Sequence, residues 1–141
     1  MTRDEILAFL SKQRESWQRR DPVALARDHA EHGTLVSPIF SKIQGRDAIR
    51  ASYESLFQSF PDWAFSDQDP FIDGDRVAVP FTARATHAGR FMGLDGTGRR
   101  FEIQGVLLME LRDGLIADER RIYDFTGLLI QCGVLRGKPG F

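Results

Sequence analysis

The stretch DGDRVAVPFTARATHAGRFMGLDGTGRRFEIQGVLLMELRDGLIADERRIYD, from Asp73 to Asp124, decides the fold. Over 75–88, Val77, Val79, Phe81, Ala83, Ala85 and His87 share one side of a strand, opposite Arg76, Thr82, Arg84 and Thr86. Over 99–112, Phe101, Ile103, Gly105, Leu107, Met109 and Leu111 share one side, opposite Glu102, Gln104, Glu110 and Arg112. A slip of one residue would turn either apolar set to water, so the alternation defines an inner face. Two further strands are expected, at about 63–72 and at 115–124. DGD at 73–75 and DG at 113–114 are tight hairpin turns, and GLDGTG at 93–98 is a looser link, which makes the four strands an antiparallel meander. Pro80 falls on the outer side and marks a bulge or an unpaired edge position. The 115–124 strand is polar on both sides. Ile116, Asp118, Arg120, Ile122 and Asp124 lie on one, with Leu115, Ala117, Glu119, Arg121 and Tyr123 on the other, and pattern alone does not say which faces inward.

Upstream the period is helical. Thr2 and Glu5 have capping-box spacing, and Ile6, Phe9, Leu10 and Trp17 share a face of a helix that ends near Arg20. Asp21-Pro22 starts a second helix, which carries VALARDHAEH and stops at Gly33. TLVSPIF is a short strand interrupted by Pro38. Ile49, Ser52, Tyr53, Leu56, Phe57 and Phe60 form the apolar stripe of a third helix over 45–60. A short helix starts at Phe125. Helices grouped ahead of an antiparallel sheet predict an α+β fold. Strands this long twist and curl, so the expectation is a single domain over 1–141, a cone-shaped barrel whose helices pack on a strongly curved sheet and leave one end hollow.

The formal charge, 19 − 20 = −1, gives no electrostatic footprint for nucleic acid or an anionic membrane surface. The single cysteine, Cys132, excludes an intramolecular disulfide, and the acidic start MTRDEILAFL resembles neither a signal peptide nor a membrane span. The expected location is the cytoplasm. His29 and His32 stand three apart beside Asp28 and Glu31, but no third ligand group accompanies them, so no metal site is expected. GLDGTG lacks the Gly-Lys-Ser/Thr ending of a phosphate loop and reads as a turn.

Chemistry centres on Asp124, at the joint between the last strand and the last helix. Two roles compete there. As a base it would need desolvation among Ile122, Phe125 and Leu128; as the N-cap of the helix it would accept backbone N–H bonds. His87, on the apolar side of its strand, could orient a substrate or donate to an oxyanion, or could be a satisfied core residue. Trp17, Tyr53, Trp63 and Phe91 are candidates for lining a pocket, with plain core packing as the alternative. Arg120 shares a side with Asp124 about 13 Å along the strand, and is a candidate ligand contact or a surface ion-pair partner.

Three pieces carry a resemblance. They are FPDW (60–63), THAGRFMGLDGTGRRFEIQGV (86–106) and RDGLIADERRIYDFTGLLIQCGVL (112–135), with H-x-G-x-F-x-G at 87–93, T-G-R at 97–99 and D-x-x-G-L-L-x-Q-x-G at 124–133. Together they resemble the SnoaL-like polyketide cyclase (ester cyclase) family. The resemblance implies the α+β cone shared with nuclear transport factor two, ketosteroid isomerase and scytalone dehydratase. It further implies a mostly apolar cavity for a small carbonyl compound, oligomers built through the sheet, and no metal or organic cofactor; the exposed outer sheet face makes a homodimer the expected oligomer. In the cyclases an aspartate ending the last strand is the acid/base of ring closure, and Asp124 matches it. Leu107 stands where the cyclases carry a histidine, and Ser37 is the nearest match to a polar residue of the first strand. The expected function is therefore cofactor-independent cyclisation or isomerisation with Asp124 as acid/base. The alternative is a non-catalytic small-molecule-binding protein on the same fold.

Overall fold

A computed structural model describes residues 1–137 of the chain. The elements in order are α1 (Arg3–Arg19), α2 (Pro22–Arg27), β1 (His29–Ser37), β2 (Ser41–Gln44), α3 (Arg46–Ser59), β3 (Ala64–Asp67), β4 (Phe71–Asp73), β5 (Arg76–Thr86), β6 (Arg100–Arg112), β7 (Leu115–Tyr123) and α4 (Phe125–Gln131). The Thr2/Glu5 capping box opens α1, and Asp21 caps α2 through the backbone N–H of Ala24. Seven strands form one sheet in the order β2-β1-β7-β6-β5-β3, with β4 pairing β5 beyond the end of β3. Every pairing is antiparallel except β1 with β7. The sheet is curved and not closed, and the helices packed on it make a half-cone.

The inner faces of β5 and β6 are those the alternation predicts. Val77, Val79, Phe81, Ala83, Ala85, Phe101, Ile103, Leu107, Met109 and Leu111 are all buried. Gly105 sits in that row because a Cβ there would come within 2.3 Å of the Ile122 carbonyl oxygen and 2.9 Å of Phe81. Pro80 pairs with Val106 across β6, and its carbonyl accepts from Gln68 N–H, so its nitrogen faces the gap where the chain passes from β3 to β4.

Two upstream expectations need correction. The second helix does not reach Gly33: it ends at Arg27, and HAEHGTLVS is strand β1. The helical spacing of VALARDHAEH is overridden by pairing with β7, beginning with Ile116 N–H to Asp28 C=O, and by Arg46, which donates two bonds to His29 C=O. The strand at 63–72 is two short strands parted by residues 68–70.

The H-x-G-x-F-x-G motif clasps α3. The N–H groups of Ala88 and Gly89 both donate to Ser59 C=O, and Ser59 Oγ donates to Arg90 C=O. A Cβ on Gly89 would lie 2.0 Å from the Gln58 carbonyl oxygen, so only glycine permits this approach. Phe91 then inserts beside Phe60, with ring centroids 5.0 Å apart.

Candidate functional site

The polarity of β7 is sorted by one extra residue. Leu111 pairs with Ile116, but Glu110 pairs with Asp118, so Ala117 is a bulge. Without it Asp118 and Arg120 would oppose Met109 and Leu107 on the inner face. With it Glu119 opposes Met109, Arg121 opposes Leu107, and Tyr123 opposes Gly105. Glu119 and Arg121 are accordingly inside, 1% and 8% exposed. Arg120 instead faces outward, exposed, in a groove of the outer sheet face with Arg76, Leu108, Glu110 and Asp118.

Inside, Arg121 Nε donates to Glu119 Oε2 at 2.7 Å. Its guanidinium carbon lies 5.0 Å from the centre of the Tyr53 ring and 5.5 Å from that of Trp17. Both aromatic faces favour a desolvated cation. The Tyr53 hydroxyl meets His29 Nε2 at 2.9 Å. Trp17 meets Tyr53 edge-on and stacks on Phe65 at 5.0 Å, with Trp63 at 6.3 Å. Burial pushes His29 down to about 4, with the charges of Arg121 and Arg46 acting the same way against Glu119, so its ring is neutral. Burial holds the Tyr53 hydroxyl well above its ordinary value, against the pull of Arg121. Burial works against the charge on Arg121, but Glu119 keeps the guanidinium ionised. The Tyr123 hydroxyl is raised to about 12, again by burial.

Several atoms of this group have no hydrogen-bond partner among the described residues: Glu119 Oε1, Arg121 Nη2, His29 Nδ1 and Trp17 Nε1. A buried polar atom without a hydrogen bond costs about 1–3 kcal/mol, more when charged. Four such atoms lie among the buried aromatic side chains.

The other candidates lie apart from this cluster. Asp124 is exposed, and its Oδ1 accepts from Gly127 N–H at 2.9 Å, so the capping role is realised and the burial among Ile122, Phe125 and Leu128 is not. His87 is fully buried, its Nδ1 3.1 Å from Thr97 Oγ1, and its ring packs near Phe60 and Phe91. The Thr97 hydroxyl donates to Cys132 C=O, so the proton in the His87–Thr97 contact is the one on Nδ1. His87 Nε2 has no hydrogen-bond partner among the described residues. Ser37 Oγ accepts from Phe40 N–H and closes the turn to β2. Trp63, Phe91 and Leu107 are core residues.

Glu119, Arg121 and His29 are absent from the sequence-based candidates. The two polar sides of β7 are the signal for the first two, but only the Ala117 bulge chooses between them. His29 is hidden by its helical neighbourhood. No group of three or more His, Cys, Asp or Glu side chains is arranged to hold a metal among the described residues. None of the described helices is long and apolar enough to cross a membrane.

Comparison with known proteins adds an independent line. The family model described as SnoaL-like polyketide cyclase matches residues 9–132. The nogalonic acid methyl ester cyclase of Streptomyces nogalater is 47% identical over 104 residues, 73% of this chain and 72% of that protein. The aklanonic acid methyl ester cyclase of Streptomyces peucetius is 28% identical over 93 residues, 65% of this chain and 64% of that protein, so the matched stretch spans less than two thirds of that relative. Among solved structures, AclR of Streptomyces galilaeus superposes with a TM-score of 0.83 at 24% identity, covering 99% of this chain and 87% of that one, a likeness of fold.

Proposed function

Because the chain belongs to the SnoaL-like polyketide cyclase family, we propose that it binds a small, largely apolar carbonyl compound inside the half-cone and rearranges it by acid/base chemistry without a cofactor. The observation that carries this reading is the set of unpartnered polar atoms buried among the aromatic rings of Trp17, Tyr53 and Phe65. A flat carbonyl compound supplies what that interior lacks: polar atoms for the orphaned donors and acceptors, and an apolar body for the rings. Removal of a proton beside a carbonyl gives an enolate. Its carbon can attack a second carbonyl and close a ring, or be reprotonated elsewhere in an isomerisation.

We assign the acid/base role that the family resemblance implies to Asp124, at the end of the last strand. One oxygen serves the helix cap, and the other remains for proton transfer at the rim. A substrate that covers the rim strips water from it, the condition under which a carboxylate becomes an effective base. A second reading, a binding protein without turnover, is favoured by the exposure of Asp124 and by Leu107, which brings no polar atom to β6.

Nogalonic and aklanonic acid methyl esters are the compounds to test, with ring closure followed by chromatography and binding by tryptophan fluorescence. The enzyme reading expects turnover that Asp124→Asn abolishes while leaving affinity within about threefold. Binding without turnover favours the second reading, and no binding of either ester removes both for this compound class. The proposal includes a homodimer through the outer sheet face, where Leu108 and Ile122 are exposed; sedimentation as a monomer would remove that part.

A further inference from the structure

We infer that Glu119 and Arg121 form a second, interior acid/base pair that engages the carbonyl and its neighbouring C–H bond, with Tyr53 and Trp17 fixing the guanidinium. This rests on the reading that the half-cone takes a carbonyl compound.

Each member of the pair uses one face on the other and keeps one atom free. Glu119 Oε2 is held by Arg121 Nε, leaving Oε1 an acceptor without a partner among the described residues. Arg121 is held by that bond and between two rings, leaving Nη2 a donor without one. Acceptor and donor therefore belong to two groups joined at 2.7 Å, both more than nine-tenths buried. A ketone with an enolisable C–H presents the complement: an acceptor oxygen and, one carbon away, an acidic hydrogen.

The proton balance closes within the pair. Arg121 Nη2 donates to the carbonyl oxygen. Glu119 Oε1 takes the α-hydrogen; the C–H electron pair becomes the enolate C=C bond, and the carbonyl π pair passes to oxygen. The enolate charge then stands beside Arg121, replacing the carboxylate charge that Glu119 loses on protonation. Glu119–H later returns its proton to the alkoxide of a ring closure, or to carbon in an isomerisation. The site's net charge never changes, which suits an interior closed to water. His29 and Tyr53 stay neutral throughout, and their 2.9 Å contact makes Tyr53 a positioning residue for the cation above it.

The experiment uses 2-tetralone in deuterated buffer with the full-length protein. Binding is read by quenching of Trp17 and Trp63, and exchange of the α-hydrogens by proton NMR. The expected result is wild-type exchange that Glu119→Gln lowers at least a hundredfold with Kd within threefold, while Arg84→Gln, exposed on β5 away from the interior, keeps the exchange rate within about threefold. Glu119→Asp, which keeps the ion pair but shortens the reach, is expected to exchange at least tenfold more slowly, and keeps the test alive should Glu119→Gln fail to fold. Full exchange by either Glu119 variant, or loss of exchange in Asp124→Asn alone, overturns the assignment and returns the chemistry to the rim. Binding without exchange in the wild type also overturns it. An absence of binding overturns the underlying reading of the interior instead, so the two failures are separable.

Discussion

Replacing Arg121 with Met tests whether the buried charges are as closely coupled as their geometry requires. Methionine keeps an apolar stem between Trp17 and Tyr53 but removes the guanidinium. Glu119, 1% exposed, then loses its 2.7 Å bond and the partner cation. Breaking a buried pair from one side costs about 3–5 kcal/mol, because the remaining charge is stranded. Two cation–π contacts are lost as well, each worth up to about 2 kcal/mol when desolvated, against which methionine restores some ring contact. A net loss of about 4 kcal/mol follows, or a fall in Tm of about 15 °C for a chain of this length. The double variant Glu119→Leu/Arg121→Met removes both charges and is expected to unfold within about 1 kcal/mol of wild type, or to be more stable. Urea unfolding followed by tryptophan fluorescence measures all four corners of the cycle, since both reporters are buried in the wild type. A single variant that loses less than about 1 kcal/mol, or a double variant that loses the sum of the singles, would refute the coupling.

Three further outcomes follow from the structure. His29 is neutral when folded, with a pKa of about 4 against an ordinary 6.5, so the unfolded chain binds a proton that the native state refuses. Its contribution is fully present above pH 6.5 and is lost as the pH falls toward 4, by up to about 3 kcal/mol; His29→Gln should flatten that part of the stability–pH curve. Gly89→Ala forces a Cβ to 2.0 Å from the Gln58 carbonyl oxygen; calorimetry should show a loss of about 1–3 kcal/mol, and none would mean the loop does not seat on α3. Asp124→Ala should lose about 1 kcal/mol with the cap of α4, whereas Asp124→Asn, an equally good cap, should unfold with the wild type.

Much of the architecture was legible because the inner rows of β5 and β6 carry no charged residue and their turns carry Asp-Gly. Long-range decisions were not. VALARDHAEH has a helical pattern, and only its parallel pairing with β7, far along the chain, makes its second half a strand. The position of Asp124 as a cap could be read from the joint it occupies; its exposure could not, since apolar neighbours in sequence need not lie over a side chain in space. The interior pair was hidden by a single residue. With Ala117 counted into a regular ladder, Arg120 points inward; bulged out, it points to solvent and Arg121 takes its place. Bulges leave no mark in hydrophobic periodicity when both sides of a strand are polar.

The parallel seam between β1 and β7 has a consequence for the order in which the chain folds. The hairpin of β1 with β2 and the meander of β5, β6 and β7 are each local, but Thr34 reaches Asp118 across 84 residues of sequence. Closing a loop of that length carries an entropy cost of about 4 kcal/mol before any contact offsets it. Contacts of such separation set the pace of folding for chains of this topology. His29 and Tyr53 lie on one side of the seam, Glu119 and Arg121 on the other, so the charged interior is dehydrated only when the two halves meet. Substitutions in the pair are therefore expected to speed the parting of the halves far more than they slow the formation of either.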